Sequence, residues 1–239
     1  MSLGHGASIV RSGLVLHLDA ANVKSYPGSG TTWYDLSGNN NGTMTSLGFE
    51  VGNNGSLLFN AANDTVSINH DDVFNFSSTF TVSTWIKINS FSTSTIYNVV
   101  SKKPSFNNTQ KGWSCQYDYR TTGVLQFRNN DSSVLNDHTP TSNVNNTALL
   151  NQTNKWVNSV WAITNSNVTF YINGVSKGTL GVNFSNTDTT TPVYIGKTVG
   201  SIGDTSTLMN LSSVTIHNRT LSATEIKQNF EATRSRYGI

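Results

Sequence analysis

The segment WSCQYDY, residues 113–119, places Trp113, Tyr117 and Tyr119 on one side of an extended chain and Gln116, Asp118 and Arg120 on the other. Gln126 and Arg128 follow in VLQFR. Aromatic faces that stack on the apolar patches of a sugar ring, beside amide, carboxylate and guanidinium groups that bond its hydroxyls, are the chemistry of carbohydrate recognition. In a sandwich one of the two faces is core. With the aromatics inside, the ligand contacts fall on Gln116, Asp118, Arg120, Gln126 and Arg128; with them outside, Trp113 is the stacking surface. Trp33 and Tyr34 stand in a loop between Gly-rich stretches and are expected to be exposed, though the same pair can also cap the core.

Bond cleavage has less to work with. Glycan hydrolysis needs two carboxyl groups roughly 5 to 9.5 Å apart, and the chain has three Glu, at 50, 225 and 231, none alternating with an Asp on a strand. The adjacent pair Asp71-Asp72 points its side chains to opposite faces if extended and reads as a solvated turn. His5, His17, His70, His138 and His217 are dispersed without a nucleophile elbow or a Cys partner. Cys115, the single cysteine, shares the face of Trp113 and Tyr117 and reads as a small buried hydrophobe. It also excludes an intramolecular disulfide. For calcium, oxygen ligands abound in Asn63-Asp64 and Asn129-Asn130-Asp131, but no EF-hand spacing exists and such side chains commonly bond their own backbone in Asx-turns. Asp64, just before a VSI strand, is the candidate metal ligand. No cofactor is required.

The elements that position these residues are short strands. Apolar-polar alternation marks residues 14–18, 80–88, 113–119, 124–128, 157–163, 168–172 and 211–217, separated by clusters of Asn, Gly, Ser and Asp. Asn173-Gly174 after VTFYI fits a type I′ hairpin, because both central residues must take positive φ. The polar stretch 134–153, with Pro140, reads as a long connection. One helix is expected, at the end: Ser222 and Glu225 form a capping box, Ile226, Phe230, Thr233 and Tyr237 share a face, and Arg234 and Arg236 oppose the negative end of the helix dipole. Residues 1–12 read as an arm, and residues 13–239 as one domain, within the size range of all-β sandwiches.

Composition limits the partners. Charged residues are 12% of the 239, about half of the usual roughly 25%, whereas Asn, Ser and Thr number 31 each. A net charge of +2 gives no field for a phosphate backbone, so nucleic acid is excluded as the main ligand. No run approaches the roughly 20 apolar residues of a membrane span, and residues 1–13 lack the apolar core of a secretory signal, so neither membrane insertion nor signal-peptide export is expected.

Read together, FTVSTWIKI, KWVNSVWAI, VTFYINGVSKGTL, TPVYIGKT and LSSVTIHNRTLSATEIKQNF resemble a laminin-G-like, concanavalin A-like jelly roll over most of residues 57–230. The resemblance implies an all-β sandwich of two antiparallel sheets with a short C-terminal helix, often with calcium at the rim and glycan or protein ligands on loops. Asp64 stands where that family often has an Asp. Its common acidic residue near the start of the last strand corresponds here to Ser212 and Ser213, and the E-x-D-x-x-E and R-x-E-x-R patterns of related glucanases and lyases are absent. Residues 13–44 and the terminal EIKQNFEATRSRYGI resemble the ends of laminin-G-like modules in virion proteins of tailed phages. That likeness implies a capsid or tail decoration protein, made in the host cytoplasm and carried on the virion. Its partners would be other virion proteins, further copies of itself in a homo-oligomer, and cell-surface or environmental glycans. The rival expectation is a purely structural decoration module; a polysaccharide depolymerase ranks last.

Overall fold

The computed structural model describes residues 8–61, 63–90, 96–103, 111–118, 124–130, 135–138, 152–182, 184, 190–196 and 208–239. Short segments that alternate apolar and polar residues cannot satisfy their backbones alone, so they pair edge to edge and turn their apolar sides together. Two eight-stranded antiparallel sheets result among the described residues.

The first sheet contains β1 (Leu14–Asp19), β4 (Gly48–Glu50), β5 (Ser56–Phe59), β7 (Phe80–Ile88), β12 (Trp156–Ile163), β13 (Asn167–Ile172), β14 (Val175–Gly181) and β16 (Met209–His217). Its order is β14-β13-β12-β7-β16-β5-β4. One side of β16 pairs with β7, while its other side is shared, Met209–Leu211 with β5 and Ser213–His217 with β1. The second sheet contains β2 (Thr32–Trp33), β3 (Gly42–Thr45), β6 (Thr65–Ile68), β8 (Ile96–Lys102), β9 (Gly112–Asp118), β10 (Val124–Asn130), β11 (Leu135–His138) and β15 (Val193–Ile195), in the order β11-β10-β9-β8-β15-β6-β3-β2.

Between the sheets lies an aromatic core. Phe80 stacks on Phe76 at 4.3 Å between centroids and tilts against Trp113 at 4.9 Å. Trp161 Nε1 crosses from the first sheet to donate to the Gln126 carbonyl at 3.0 Å, and the Tyr117 hydroxyl meets that of Ser159. Trp161 and Tyr117 thus bury their apolar area while their polar handles find partners. Cys115 lies in the same core, and burial pushes its thiol well above the usual range.

The alternating segments all form strands, and the Asn173-Gly174 turn has φ of 51° and 75°, the positive pair that a type I′ hairpin needs. The stretch 134–153 differs from expectation: Leu135–His138 is a strand paired with Phe127–Asn130. Backbone bonding to an open sheet edge builds it, and no side-chain alternation announces it. Residues 139–151, Tyr119 and Arg120 lie outside the described residues.

The outer face of the first sheet is covered by α1 (Ala223–Thr233), which tightens into a 3-10 turn at Arg234–Tyr237. Its capping box is formed: Glu225 N donates to Ser222 Oγ at 3.3 Å, and Ser222 N donates to Glu225 Oε2 at 2.9 Å. Arg219 grips the same carboxylate bidentately at 2.6 and 3.0 Å. Ile226 packs with Val160, Ala162, Tyr171 and Leu221, and Phe230 with Trp85, Trp156 and Tyr237. The hairpin turn is tied into this contact, since a Cβ on Gly174 would stand 3.0 Å from the Phe230 ring. Arg234 is the C-cap residue of α1, whereas Arg236 lies in the 3-10 turn beyond it. Arg234 pairs with Glu231 at 2.6 Å, and Arg236 bonds both Asp19 oxygens at 2.7 and 3.1 Å. No helix among the described residues is long and apolar enough to cross a membrane.

Of the expected arm, residues 1–7 lie outside the described residues, and residues 8–12 are held by hydrogen bonds to the C-terminal segment. Val10 N donates to Asn229 Oδ1 at 2.7 Å, Gln228 Nε2 to the Ser8 carbonyl at 2.8 Å, Arg219 Nε to the Ser12 carbonyl at 3.0 Å, and His217 Nε2 to the Val10 carbonyl at 3.0 Å.

Ser222→Ala should lower the unfolding free energy by about 1 kcal/mol, the usual worth of an N-cap, and Phe230→Ala by about 3 kcal/mol through cavity formation; chemical denaturation of the two variants checks both. A pH dependence follows from the same region. Burial holds the His17 and His217 imidazoles below their ordinary 6.5, so the unfolded chain takes up protons first and stability falls as pH drops below about 6.5. Glu225, held at about 2 by the Arg219 guanidinium and the Ser222 N–H, adds stability above about 4.5 that is lost as pH falls toward 2. Melting temperatures from pH 8 to pH 3 should show both limbs, and Glu225→Gln should reduce the lower one.

Candidate functional site

The polar set singled out on β9 and β10 does lie opposite the aromatic core, yet it is buried. Gln116 and Gln126 sit directly across from each other and are 0% exposed, and Asp118 and Arg128 are also buried. Gln116 Nε2 donates to Asn98 Oδ1 and to Ser114 Oγ, and Gln126 Nε2 donates to Asp118 Oδ2 at 3.3 Å. These side chains form an interior amide network rather than the outward-facing ligand surface expected of them. Alternation assigns a residue to a face but does not say whether that face is covered. Trp113 is core, and so is Trp33, which corrects its expected exposure: both are 0% exposed. Arg120 lies outside the described residues.

Tyr34 is the member of the set that reaches solvent, at 46% exposure. It leads a turn organised by its neighbour Asp35, a buried carboxylate. Asp35 Oδ1 accepts from His17 N at 2.8 Å, Ser37 N at 2.9 Å and Ser37 Oγ at 2.7 Å, while Oδ2 accepts from Asn40 N at 3.3 Å. Asp35 N in turn donates to Asn41 Oδ1 at 2.9 Å. One carboxylate thereby fixes the turn to β1 and leaves Tyr34, Ser37 and Asn39 exposed beside it. An aromatic ring flanked by hydroxyl and amide groups on a pre-ordered turn can stack on and bond a sugar without much loss of conformational freedom on binding. Sequence reading reached Tyr34 and missed Asp35; the spacing D-x-S, which favours an Asx-turn, was the available signal.

Asp64 also serves a turn. Its Oδ2 accepts from Asn60 N at 2.7 Å and Ala61 N at 2.8 Å, while buried Oδ1 has no partner. A calcium ion takes 6–8 oxygens. No group of three His, Cys, Asp or Glu side chains gathers among the described residues, and Asp64 brings a single spare carboxylate oxygen. A single spare carboxylate oxygen does not by itself make a calcium site. Ser212, at the position where an acidic ligand is common, occupies a β-bulge in β16, donates to the Gly55 carbonyl at 3.2 Å and accepts from Tyr237 Oη at 2.9 Å.

The three Glu residues are committed structurally. Glu225 is in the helix cap, Glu231 pairs with Arg234, and Glu50 accepts from Asn53 and Asn210 at 2.8 and 2.7 Å. Two packed antiparallel sheets with a helix-sealed outer face and an ordered aromatic turn define a jelly-roll of the lectin-like class. The profile of Laminin_G_3, the concanavalin A-like lectin/glucanases superfamily, matches residues 60–227, and the chain belongs to this family.

Among solved structures, the binding domain of Paraclostridial Mosquitocidal Protein 1 is similar at 20% identity and a TM-score of 0.68, covering 92% of this chain and 52% of that one. The Botulinum neurotoxin serotype D binding domain is similar at 15% identity and a TM-score of 0.67, covering 93% and 51%. The Trypanosoma rangeli sialidase in complex with sialic acid is similar at 17% identity and a TM-score of 0.66, covering 98% and 35%. At these identities the likeness is one of fold. The chain spans about half the length of the two toxin domains and about a third of the sialidase. A search of curated protein sequences finds no match.

Melting curves in millimolar calcium and in EDTA should superimpose. A rise with calcium beyond the scatter of replicates would mean that ligands outside Asp64 complete a site, because a bound ion stabilises by RT ln(1 + [L]/Kd).

Proposed function

We propose that this chain is a display module of a tailed-phage particle, carried on the capsid or tail, which binds cell-surface or environmental glycans weakly through the turn led by Tyr34. The observation that carries the binding reading is the pairing of an exposed aromatic with an Asp35-clamped polar turn in a lectin-class sandwich. The structural use of all three Glu favours binding over cleavage, since glycan hydrolysis depends on two carboxyl groups free to meet the same bond. The virion reading rests on the likeness of residues 13–44 and 225–239 to the ends of phage modules. Those two stretches are in contact with each other through Asp19 and Arg236. Many copies on one particle would raise weak sites by about 10² to 10⁴ in avidity without new contacts. Other virion proteins and further copies of this chain are the protein partners in this reading.

A glycan array probed with the chain coupled at multivalent density should show binding that Tyr34→Ala abolishes while the melting temperature holds. No binding by the wild type would remove the lectin role and leave a structural decoration module. Immunogold labelling of intact particles should place the chain on the capsid or tail, and its absence from purified virions would end the virion reading.

A further inference from the structure

Beneath α1, on the outer face of the first sheet, lies a cavity of about 180 Å³. Its floor is two rows running across adjacent strands. In one, His17 of β1 faces Thr215 of β16, which faces Ser83 of β7. In the other, Asp19 of β1 faces Ser213 of β16, which faces Trp85 of β7 and then Asn158 of β12. Asn229, Thr233 and Arg236 form the roof. The helix is therefore seated on apolar contacts at Ile226 and Phe230, while its neighbouring polar face spans a hollow lined by hydroxyl, amide and imidazole groups.

The polar atoms there divide into engaged and available ones. Asp19 and Arg236 cancel each other in a two-bond ion pair, Thr233 Oγ1 accepts from Trp85 Nε1 at 2.9 Å, and Asn229 Oδ1 accepts from Val10 N. Asn158 Nδ2 donates to Ser83 Oγ and to the Thr84 carbonyl, both at 3.1 Å, but Asn158 Oδ1 has no partner although the residue is buried. Beside it, Ser213, Thr215 and His17 are half-buried, so the chamber communicates with solvent. The Trp85 ring is already stacked on Tyr237, at 3.9 Å and 14°, and offers no free face.

We propose that this chamber is a second ligand site, for a small uncharged polyhydroxyl molecule of monosaccharide or polyol size, held by hydrogen bonds to Ser213, Thr215 and His17. Charge balance selects the class. The carboxylate and guanidinium already neutralise one another, so neither an anion nor a cation gains a free counter-charge, and an apolar guest would strip water from the half-buried Ser213 and Thr215 hydroxyls and the His17 ring without replacing its hydrogen bonds. Recognition without a stacking surface rests on hydroxyl geometry alone. The chamber does not contain Tyr34, and the reading of that turn does not bear on it.

Nuclear magnetic resonance titrations of the full chain with glycerol, D-galactose and N-acetyl-D-glucosamine test the assignment. At least one probe should give saturable shifts at the Asn158 side-chain amide and the His17 ring. Thr215→Val, which removes one hydroxyl at nearly constant volume, should weaken that binding about fivefold, in keeping with one neutral hydrogen bond. Tyr34→Ala should leave these shifts unchanged. Non-saturable shifts with all three probes, shifts confined to the Tyr34 turn, or a crystal grown with the probes that shows ordered water only would overturn the proposal.

Discussion

Alternation buries the inner faces of a sandwich, but it leaves the outer faces to be dealt with separately. On the first sheet the outer face carries Trp85, Trp156, Val160 and Tyr171, an apolar strip too large to leave in water. The chain covers it with its own last segment, and the rest of the structure follows from that need. The Ser222 cap starts the helix at the correct residue. The bulge at Ser212 gives Tyr237 a hydroxyl to bond, and Asp19 holds Arg236 so that the final turn cannot lift. The first strand is thereby joined to the last helix, and residues 8–12 are strapped across the junction.

Covering the sheet with an amphipathic helix has a chemical consequence. The apolar strip lies mainly along β7 and β12, whereas the adjoining outer positions of β1 and β16 are His17, Asp19, Ser213 and Thr215. A rigid helix cannot match both surfaces closely, so it packs on the first and leaves a polar hollow over the second. Elsewhere the fold uses its scarce charges as clamps. Asp35 orders the turn beside Tyr34, Asp64 orders the turn before β6, and Glu225 locks the helix start. Among the described residues these carboxylates serve turns, a helix cap and ion pairs, and Tyr34 is an exposed aromatic ring left for a partner.

Much of the architecture was legible in the residues. FTVSTWIKI occupies the strand its alternation marks, Asn173-Gly174 turns as its φ preference requires, and Ser222 and Glu225 cap the helix as their spacing implies. The outer-face polarity of β1 and β16 was visible as well, in LVLHLD and SSVTIH. The candidate site was legible only in part. Tyr34 was identified, whereas Trp33 beside it is core, and Gln116, Asp118, Gln126 and Arg128 are on the named face but beneath the surface. Leu135–His138 joined the sheet without an alternating pattern, because pairing at a sheet edge needs only backbone groups.

By itself, the order of residues determined which side of each strand is apolar, where the hairpin turns, where the helix begins and that charge is scarce, since all of these are local properties of spacing and backbone preference. Tertiary structure decided which outer faces are covered, that Arg236 leaves the helix end to meet Asp19, and that Asn158 keeps an oxygen without a partner. Those outcomes depend on which element comes to rest over another across more than a hundred residues of chain, and no local pattern encodes that placement.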